Sequence, residues 1–320
     1  MEIKFKDKLQ YQADAINSVV NLFEGQSILS SNVSIMSEDV IDDQILITPI
    51  EGKGNIFNLS PQDIEENLLK VQAENGLPLN EKLESYDFTV EMETGTGKTY
   101  VYLRTILELN IHYGFSKFVI VVPSLAIKEG VKKTIDITRE HFAKLYNNIN
   151  YNDFIFDSSN MKDLETFMED DNIQIMIITI HAFNKEKNKI NQITEKGIIP
   201  MNYITRTRPI VIIDEPQSVL GGKSGKGKEA VKTLNPLFTL QYSATPKDAE
   251  NIVYQLNAVD AYNKNLVKKI EVNAFIEADY QGKPFIKLNK TKMNNKGKRT
   301  ADITLVKKSS TGLNTIVKKC

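Results

Sequence analysis

Short runs of apolar, β-prone residues alternate in the middle of the chain with longer segments whose apolar residues recur at helical spacing. The β-prone runs cover residues 87–90, 117–122, 173–180, 209–213 and 238–242, and the clearest helical segments cover residues 100–113, 127–138 and 161–169. Strands that alternate with helices are typical of a parallel sheet with helices on both faces. The pattern therefore predicts an α/β domain with a mostly parallel sheet, whose ligands bind at the carboxyl ends of the strands.

The N-terminal part of the chain predicts two helices separated by a polar segment. Residues 9–23 have apolar positions at helical spacing and end at a glycine, which predicts a first helix. Residues 26–60 are polar and irregular, and we interpret the region 26–86 as an insertion or surface excursion that carries one helix. That helix is expected from Ser60 to about residue 74, because Ser60 is a good N-cap and Pro61 suits the first helical position.

The last part of the chain has a different pattern and a different charge. Short β-prone runs at 270–276, 284–288 and 301–306 lie between turn signals, and residues 264–320 contain 14 Lys and Arg against 4 Asp and Glu. The remaining residues contain 26 Lys and Arg against 37 Asp and Glu. We therefore predict a main domain at 1–265 and a basic, β-rich extension at 266–320, the start of a truncated second region. Its charge favours a polyanion such as nucleic acid, although lysine-rich strand edges and disordered ends are also basic.

The composition is that of an ordinary globular protein, with 41% hydrophobic and 25% charged residues. The only cysteine is Cys320, so neither an intrachain disulfide nor a cysteine-based metal cluster can form. The first residues lack the apolar core of a signal peptide, and no apolar stretch approaches the ~20 residues that span a bilayer. We expect a cytoplasmic protein without a membrane partner.

A glycine-containing segment between a predicted strand and a predicted helix carries the clearest chemistry. Residues 91–99 read EMETGTGKT. Gly95 and Gly97 allow a tight turn in which successive backbone N–H groups face phosphates at a helix N-terminus. Lys98 would contact the β and γ phosphates, and the Thr99 hydroxyl would coordinate Mg²⁺. Met92 stands where the usual eight-residue pattern has glycine, but the core from residue 94 to residue 99 is intact.

An acidic segment supplies the second half of the predicted site. Asp214-Glu-Pro-Gln217 ends the apolar run at 209–213, roughly 115 residues after the glycine segment. Asp214 would complete the magnesium site. Each motif is weak alone, and Gly222-Lys-Ser224 is a similar triplet that no strand immediately precedes, so we interpret it as a linker. Because both halves occur in the required order, the sequence predicts binding of a nucleoside triphosphate with Mg²⁺.

Two further segments narrow the class of nucleotide-binding protein. Residues 118–127 read FVIVVPSLAI and residues 240–246 read LQYSATP. They resemble motifs Ia and III of superfamily 2 helicases and translocases. The glycine segment and the acidic segment resemble motifs I and II of the same proteins. Tyr11-Gln12 resembles the element whose glutamine reads adenine in many members. The resemblance implies a RecA-like P-loop domain with ATP contacts at the following residues: Gln12, Thr94, Gly95, Thr96, Gly97, Lys98 and Thr99.

Four segments are similar in amino-acid sequence to the Res subunit of type III restriction-modification enzymes. They cover residues 88–102, 122–130, 212–218 and 256–262. This resemblance extends over nearly the whole chain. It implies ATP and Mg²⁺ as cofactors, and double-stranded DNA and a modification (methyltransferase) subunit as partners. Glu215 would polarise the attacking water and act with Lys98 in hydrolysis. The resemblance also implies that the nucleotide state is coupled to DNA through Ser243, Ala244 and Thr245. It further implies that Pro123 and Ser124 lie near the DNA backbone.

Several elements of a complete motor are not recognised in the sequence. Superfamily 2 helicases close ATP between two RecA-like domains, and the arginine finger and motifs IV to VI of the second domain are not found. A nuclease domain is not found either. We therefore interpret the chain as an N-terminal part of a Res subunit, with weak hydrolysis alone because the arginine finger is missing. The alternatives are a nucleotide- and DNA-binding module without significant catalysis, or another superfamily 2 (RNA) helicase.

Overall fold

A computed structural model of the chain describes residues 8–41, 44–221, 225–247, 249–267, 286–293, 299–309 and 312–319. The chain forms two compact units, Met1–Lys268 and Lys269–Cys320. The helices of the first unit are α1 Gln10–Val20, α2 Pro61–Glu74, α3 Lys98–Tyr113, α4 Leu125–Leu145, α5 Lys162–Glu169, α6 Met201–Thr207, α7 Pro216–Val219, α8 Lys226–Lys232 and α9 Ala258–Asn263. Its strands are β1 Ser31–Ile41, β2 Gln44–Gly54, β3 Asp87–Met92, β4 Lys117–Val122, β5 Tyr151–Ile155, β6 Ile173–Thr179, β7 Ile210–Asp214, β8 Phe238–Ser243 and β9 Ile252–Leu256.

The centre of the first unit is a seven-stranded sheet in the order β5-β6-β4-β7-β8-β3-β9, in which every pairing is parallel. Strands β4 and β7 are buried along their whole length, as expected for central strands that are rich in valine and isoleucine. The predicted α/β class and the predicted parallel sheet are therefore confirmed. Because all strands point the same way, the segments that follow β3, β4, β7 and β8 lie at one edge of the sheet.

Helices pack on both faces of this sheet and enclose two apolar clusters. The first cluster joins α1, α2, α3 and α4 to the sheet, and the rings of Phe23 and Phe238 stack at its base with centroids 4.4 Å apart. The second cluster joins α5, α6, α7 and α8 to the opposite face. Burial of apolar side chains on both faces is what fixes the sheet between its helices. This packing fixes the positions of the strand ends at the edge of the sheet.

Two strands of the sheet are missing from the sequence prediction. Strand β5 reads YNDFI and strand β9 reads IVYQL, and both lie at the outer edges of the sheet. Edge strands are covered less completely than central ones, so polar residues are tolerated and the apolar run that marks a strand is interrupted. Strands β4, β6, β7 and β8, in contrast, agree with the predicted runs to within a residue or two.

The interpretation of residues 26–60 as irregular is wrong. The segment forms a long antiparallel hairpin, in which β1 and β2 pair from Ser31 with Gly54 to Ile41 with Gln44. Its base is tied to the sheet by Asn55, whose Nδ2 donates to the Lys117 carbonyl at 2.8 Å. The sequence does not predict the hairpin because β1 lacks strict alternation: its apolar residues fall at 33, 35, 36, 40 and 41, among serine, asparagine and acidic residues.

The second unit contains a three-stranded antiparallel sheet in the order β10-β11-β12. Its strands are β10 Ile286–Met293, β11 Arg299–Ser309 and β12 Gly312–Lys319. The predicted β-rich extension is confirmed for the strand at 301–306 and in part for the run at 284–288, while the run at 270–276 lies outside the described residues. None of the helices in the described part of the chain combines the length and the apolar composition needed to cross a bilayer.

Candidate functional site

The segment between β3 and α3 forms a tight turn that only glycine accommodates at two positions. Gly95 and Gly97 have φ angles of +82° and +92°, and Gly97 immediately precedes α3. A side chain at Gly97 would also place its Cβ 2.8 Å from Nε2 of Gln12. The φ angles therefore favour glycine at both positions, and at Gly97 an added Cβ would also displace the end of the Gln12 side chain. We call residues 93–99 the phosphate loop.

Two side chains of α1 hold the phosphate loop from outside. Tyr11 donates its hydroxyl hydrogen to the Thr96 carbonyl at 3.0 Å, and Nε2 of Gln12 donates to the same oxygen at 3.1 Å. Gln12 is buried, with 6% of its surface exposed. Inside the loop, the Thr96 hydroxyl donates to the Glu93 carbonyl at 2.6 Å. Gln12 thus contacts the loop directly, and its contact with adenine stays a prediction.

Lys98 lies between the phosphate loop and the acidic segment that follows β7. Its Nζ is 3.4 Å from the Met92 carbonyl oxygen and 3.6 Å from Oε1 of Glu215. The side chain of Lys98 is 11% exposed and that of Glu215 is 29% exposed, so the pair is only partly screened by water. The two predicted halves of the site, which are far apart in sequence, therefore meet at one ion pair.

The acidic segment turns sharply where β7 ends. Glu215 has a left-handed backbone with φ +56°, and α7 begins at the next residue, Pro216. The Glu215 backbone N–H donates to the Tyr242 carbonyl of β8 at 3.1 Å, which holds the turn against the sheet. A left-handed conformation is unfavourable for glutamate, and it persists because the neighbouring strand and helix fix the chain on both sides.

Asp214 is almost completely buried beside Glu215. Burial is the main reason that its pKa rises to about 6, and the negative charge of Glu215 adds to this effect. The ammonium of Lys98 opposes the shift without cancelling it. Two adjacent carboxylates with one nearby cation form an environment that a divalent ion would stabilise, and oxygen ligands suit Mg²⁺.

The buried hydroxyl of Tyr102 lies close to Thr99 and Asp214, the two predicted ligands of Mg²⁺. It affects the electrostatics of Asp214, yet among the described residues it has no hydrogen-bond partner at normal length and angle. A polar atom left without a partner here fits a site that binds a polar group. No cluster of three or more His, Cys, Asp or Glu among the described residues could hold a metal, so Mg²⁺ would depend on phosphate oxygens as well.

Gln217 connects the acidic segment to the end of β8, a role that the sequence interpretation did not assign. Its Nε2 donates to Oε2 of Glu215 in a short hydrogen bond. Its Oε1 accepts from the hydroxyl of Ser243 at 3.0 Å, and the Ser243 oxygen in turn accepts from the Thr245 backbone N–H at 3.1 Å. A glutamine amide can donate at one end and accept at the other, which makes it a suitable bridge. Only its position after Asp214-Glu215 could have drawn attention to it.

The remaining predicted residues lie along the same edge of the sheet. Ser124 follows β4 and is exposed; its hydroxyl oxygen accepts from the Ile127 backbone N–H at 3.4 Å and caps α4. Pro123 precedes it, and Ala244 lies between Ser243 and Thr245. The structure thus brings the phosphate loop, the acidic segment and the end of β8 into one connected network, while the described contact of Ser124 is within its own helix. Residues 222–224 lie outside the described residues.

Comparison with known proteins identifies the family of the chain. The profile of the family described as "Type III restriction enzyme, res subunit" matches residues 6–248. The EcoPI Res subunit of Escherichia phage P1 is 31% identical over 292 residues, which are 83% of this chain and 28% of that protein. The StyLTI Res subunit of Salmonella typhimurium is 34% identical over 226 residues, which are 57% of this chain and 22% of that protein. The chain therefore spans between about a fifth and just over a quarter of the length of these relatives.

A solved structure of the Type ISP restriction-modification enzyme LlaGI, a nuclease-deletion mutant in complex with a DNA substrate mimic, has 15% sequence identity and a TM-score of 0.41. The matched region covers 66% of this chain and 18% of the LlaGI chain. The family match, together with the loop after β3 and the acidic pair after β7 in a parallel sheet, identifies the first unit as a RecA-like P-loop domain. The predicted fold class is confirmed.

Proposed function

We propose that this chain, which belongs to the family of type III restriction enzyme Res subunits, is an ATP-binding and ATP-hydrolysing motor domain that acts on double-stranded DNA in a restriction complex. The observation that carries the proposal is the ion pair between Lys98 and Glu215, 3.6 Å apart, with Asp214 beside it. A phosphate loop, a cation and two carboxylates at one edge of a parallel sheet are the parts that phosphoryl transfer to water requires.

In this proposal the phosphate loop binds the β and γ phosphates through its backbone N–H groups and Lys98. Lys98 would then exchange its contact with Glu215 for a phosphate oxygen, which frees the Glu215 carboxylate. Glu215 orients the attacking water, and its hydrogen bond from Gln217 keeps the carboxylate aimed at that water. Thr99 and Asp214 would hold Mg²⁺, and Mg²⁺ supplies neutralisation of the charge on the phosphate oxygens.

The network that starts at Glu215 also supports a coupling role for the end of β8. A change in the position of Glu215 would be transmitted through Gln217 to Ser243, and from Ser243 to Thr245, because each is hydrogen-bonded to the next. We propose that residues 243–245, including Ala244, pass the nucleotide state to the DNA-contacting edge of the domain. Pro123 and Ser124 are the proposed contacts with the DNA backbone, at the N-terminus of α4.

Gln12 is proposed to contact adenine, with Tyr11 beside it. In the structure both side chains hold Thr96 of the phosphate loop, so base recognition and the shape of the loop would be linked. The modification subunit is proposed as a partner, since the curated relatives are Res subunits of type III restriction-modification enzymes. A superfamily 2 helicase that acts on RNA is the remaining alternative.

The test is steady-state release of phosphate from ATP and Mg²⁺, measured alone and with duplex DNA, single-stranded DNA or RNA at matched nucleotide concentration. The proposal expects phosphate release that duplex DNA increases, and it expects Lys98→Ala to lower that release by ~10²- to 10³-fold. Nucleotide binding without any DNA-stimulated release would support a binding module instead. Stimulation by RNA alone would support an RNA helicase, and either result would overturn the proposed motor function.

A further inference from the structure

Glu93 places a carboxylate at the entrance of the phosphate loop. Its backbone N–H donates to the Leu256 carbonyl of β9 at 3.0 Å, which attaches the residue to the edge of the sheet. Its side-chain Oε1 accepts from the Thr94 backbone N–H at 2.7 Å. A fixed negative charge therefore rests on the loop, at a residue to which the proposed function gives no role.

The backbone of Glu93 also determines the shape of the loop. Its carbonyl oxygen accepts from the Thr96 backbone N–H at 3.2 Å and from the Thr96 hydroxyl at 2.6 Å. The Glu93 side chain and main chain together satisfy the N–H groups of Thr94 and Thr96 from within the protein. An incoming triphosphate has to compete with these internal acceptors for hydrogen bonds.

The carboxylate of Glu93 and a triphosphate carry charge of the same sign. Repulsion between them grows with the net negative charge of the nucleotide, and a bound divalent cation cancels part of that charge. Lys98 and the N-terminus of α3 act in the opposite direction, because a positive charge attracts the more negative, metal-free nucleotide more strongly. A carboxylate at the loop offsets that preference. Glu93 is thus placed to distinguish the two forms.

We propose that Glu93 is a specificity-determining residue that disfavours metal-free nucleotide and makes binding at the phosphate loop selective for the Mg²⁺ complex. The inference rests on the proposed function, because it concerns the same loop. In this role Glu93 excludes nucleotide that would otherwise occupy the loop without the Mg²⁺ that hydrolysis requires.

The experiment is calorimetric titration of the whole chain with a non-hydrolysable ATP analogue, once with Mg²⁺ and once with a chelator at equal ionic strength. Glu93→Gln keeps an oxygen that can accept from the Thr94 N–H but removes the charge. We expect metal-free binding to tighten about five- to tenfold, and binding with Mg²⁺ to change about twofold or less. The preference for the Mg²⁺ complex should fall by the ratio of the two changes.

Two further variants separate the charge from other effects. Glu93→Ala removes both the charge and the hydrogen bond, and it should tighten metal-free binding at least as much as Glu93→Gln. Glu91→Gln removes a carboxylate two residues earlier in β3, where Nε2 of Gln255 donates to it at 2.6 Å, and it should leave the preference for Mg²⁺ unchanged. Raising the salt concentration should reduce the effect of Glu93→Gln, because exposed charges are screened.

Equal affinities for wild type and Glu93→Gln in both conditions, or equal tightening in both conditions, would overturn the assignment while the proposed function stands. The same applies if Glu91→Gln changes the preference as much as Glu93→Gln does. If folded wild-type protein and both Glu93 variants all fail to bind the analogue with Mg²⁺, the proposed function itself is wrong and this inference fails with it. Circular dichroism of each variant establishes that it is folded.

Discussion

The phosphate loop and the acidic segment after β7 meet at one ion pair, but they are held in different ways. The loop has a turn of its own, with positive φ angles at Gly95 and Gly97 and hydrogen bonds between Glu93 and Thr96, and Tyr11 and Gln12 of α1 add support at Thr96. The acidic segment depends on distant parts of the chain, because Glu215 is held by Tyr242 of β8 and, through Gln217, by Ser243. One half of the site is thus local in origin and the other is tertiary.

This difference indicates what each half can do. A turn of backbone N–H groups with little side-chain freedom is suited to binding, because it needs no rearrangement to receive phosphate. A carboxylate at the end of a hydrogen-bonded chain is suited to turnover and its control, since its position can change when the chain of bonds changes. Changes in the two halves should therefore have separable effects on binding and on hydrolysis.

Glu215→Gln should produce the largest effect and should confine it to hydrolysis. The amide cannot polarise water as a carboxylate does, so phosphate release should fall by ~10²- to 10⁴-fold. Affinity for a non-hydrolysable ATP analogue should change by about threefold or less, because every residue of the phosphate loop is kept and Lys98 loses only a contact that it gives up when nucleotide binds. Single-turnover phosphate release and calorimetry provide the two measurements. Hydrolysis at the wild-type rate would show that Glu215 has no part in the reaction.

Lys98→Ala should affect binding as well as hydrolysis, and so distinguishes the loop from the acidic segment. Loss of the ammonium removes the cation that meets the phosphates, and we expect phosphate release to fall by ~10²- to 10³-fold with weaker binding of the analogue. Lys70→Ala is a suitable control, because Lys70 lies on α2 and forms an exposed ion pair with Glu24. If both lysine variants bound the analogue like wild type, the loop half of the comparison would be untenable.

Gly97→Ala tests whether the loop shape is truly local. The φ of +92° and the 2.8 Å approach to Gln12 both oppose a side chain, so the free energy of unfolding should fall by about 1–3 kcal/mol and nucleotide affinity should fall with it. Gly130→Ala is the matched control, because Gly130 lies in α4 and an added Cβ would meet nothing within 4 Å. That variant should be stabilised by about 0.5–1 kcal/mol. Urea unfolding measures both, and equal effects would contradict the strain at Gly97.

Asp214→Asn tests the electrostatic side of the acidic segment. The folded state raises the pKa of Asp214 from 3.8 to about 6, so it binds the proton more tightly than the unfolded state. The resulting loss of stability is fully present above pH 6 and disappears as the pH falls towards 3.8. At pH 7.5 the variant should therefore be more stable by about 1–3 kcal/mol.

The gain should vanish near pH 4, where the wild-type carboxyl is also neutral. At the same time the variant should lose the Mg²⁺ dependence of nucleotide binding, because the amide is a poorer ligand for the ion. Thermal unfolding across this pH range and calorimetry with and without Mg²⁺ provide the measurements. A variant less stable than wild type at pH 7.5 would show that Asp214 is not destabilised by its surroundings.

The central part of the fold could be predicted because central strands of a parallel sheet must be apolar on both faces. Strands β4, β6 and β7 are therefore visible as segments that consist mainly of valine and isoleucine. The edge strands β5 and β9 and the β1–β2 hairpin are only partly covered, so polar and apolar residues mix in them and no continuous apolar run marks the strand. Prediction failed where burial is incomplete.

The candidate site divides in the same way. Lys98, Thr99, Asp214 and Glu215 were predicted as site residues from chemistry, order and family resemblance, and the structure brings Lys98 and Glu215 into contact. Gln217 was not predicted, because a single glutamine after an acidic pair has many uses. Its role depends on the position of Ser243, which follows a strand that is adjacent in space and distant in sequence.

The amino-acid sequence by itself determined the glycine turn, the order of strands and helices and the chemical groups available to the site, because these depend on backbone sterics and on the pattern of apolar residues. Only the tertiary structure decided that Lys98 faces Glu215, that Gln217 joins Glu215 to Ser243, and that burial raises the pKa of Asp214. Those properties arise from the adjacency of β7, β8 and β3 in the sheet, and adjacency is a result of packing the whole domain.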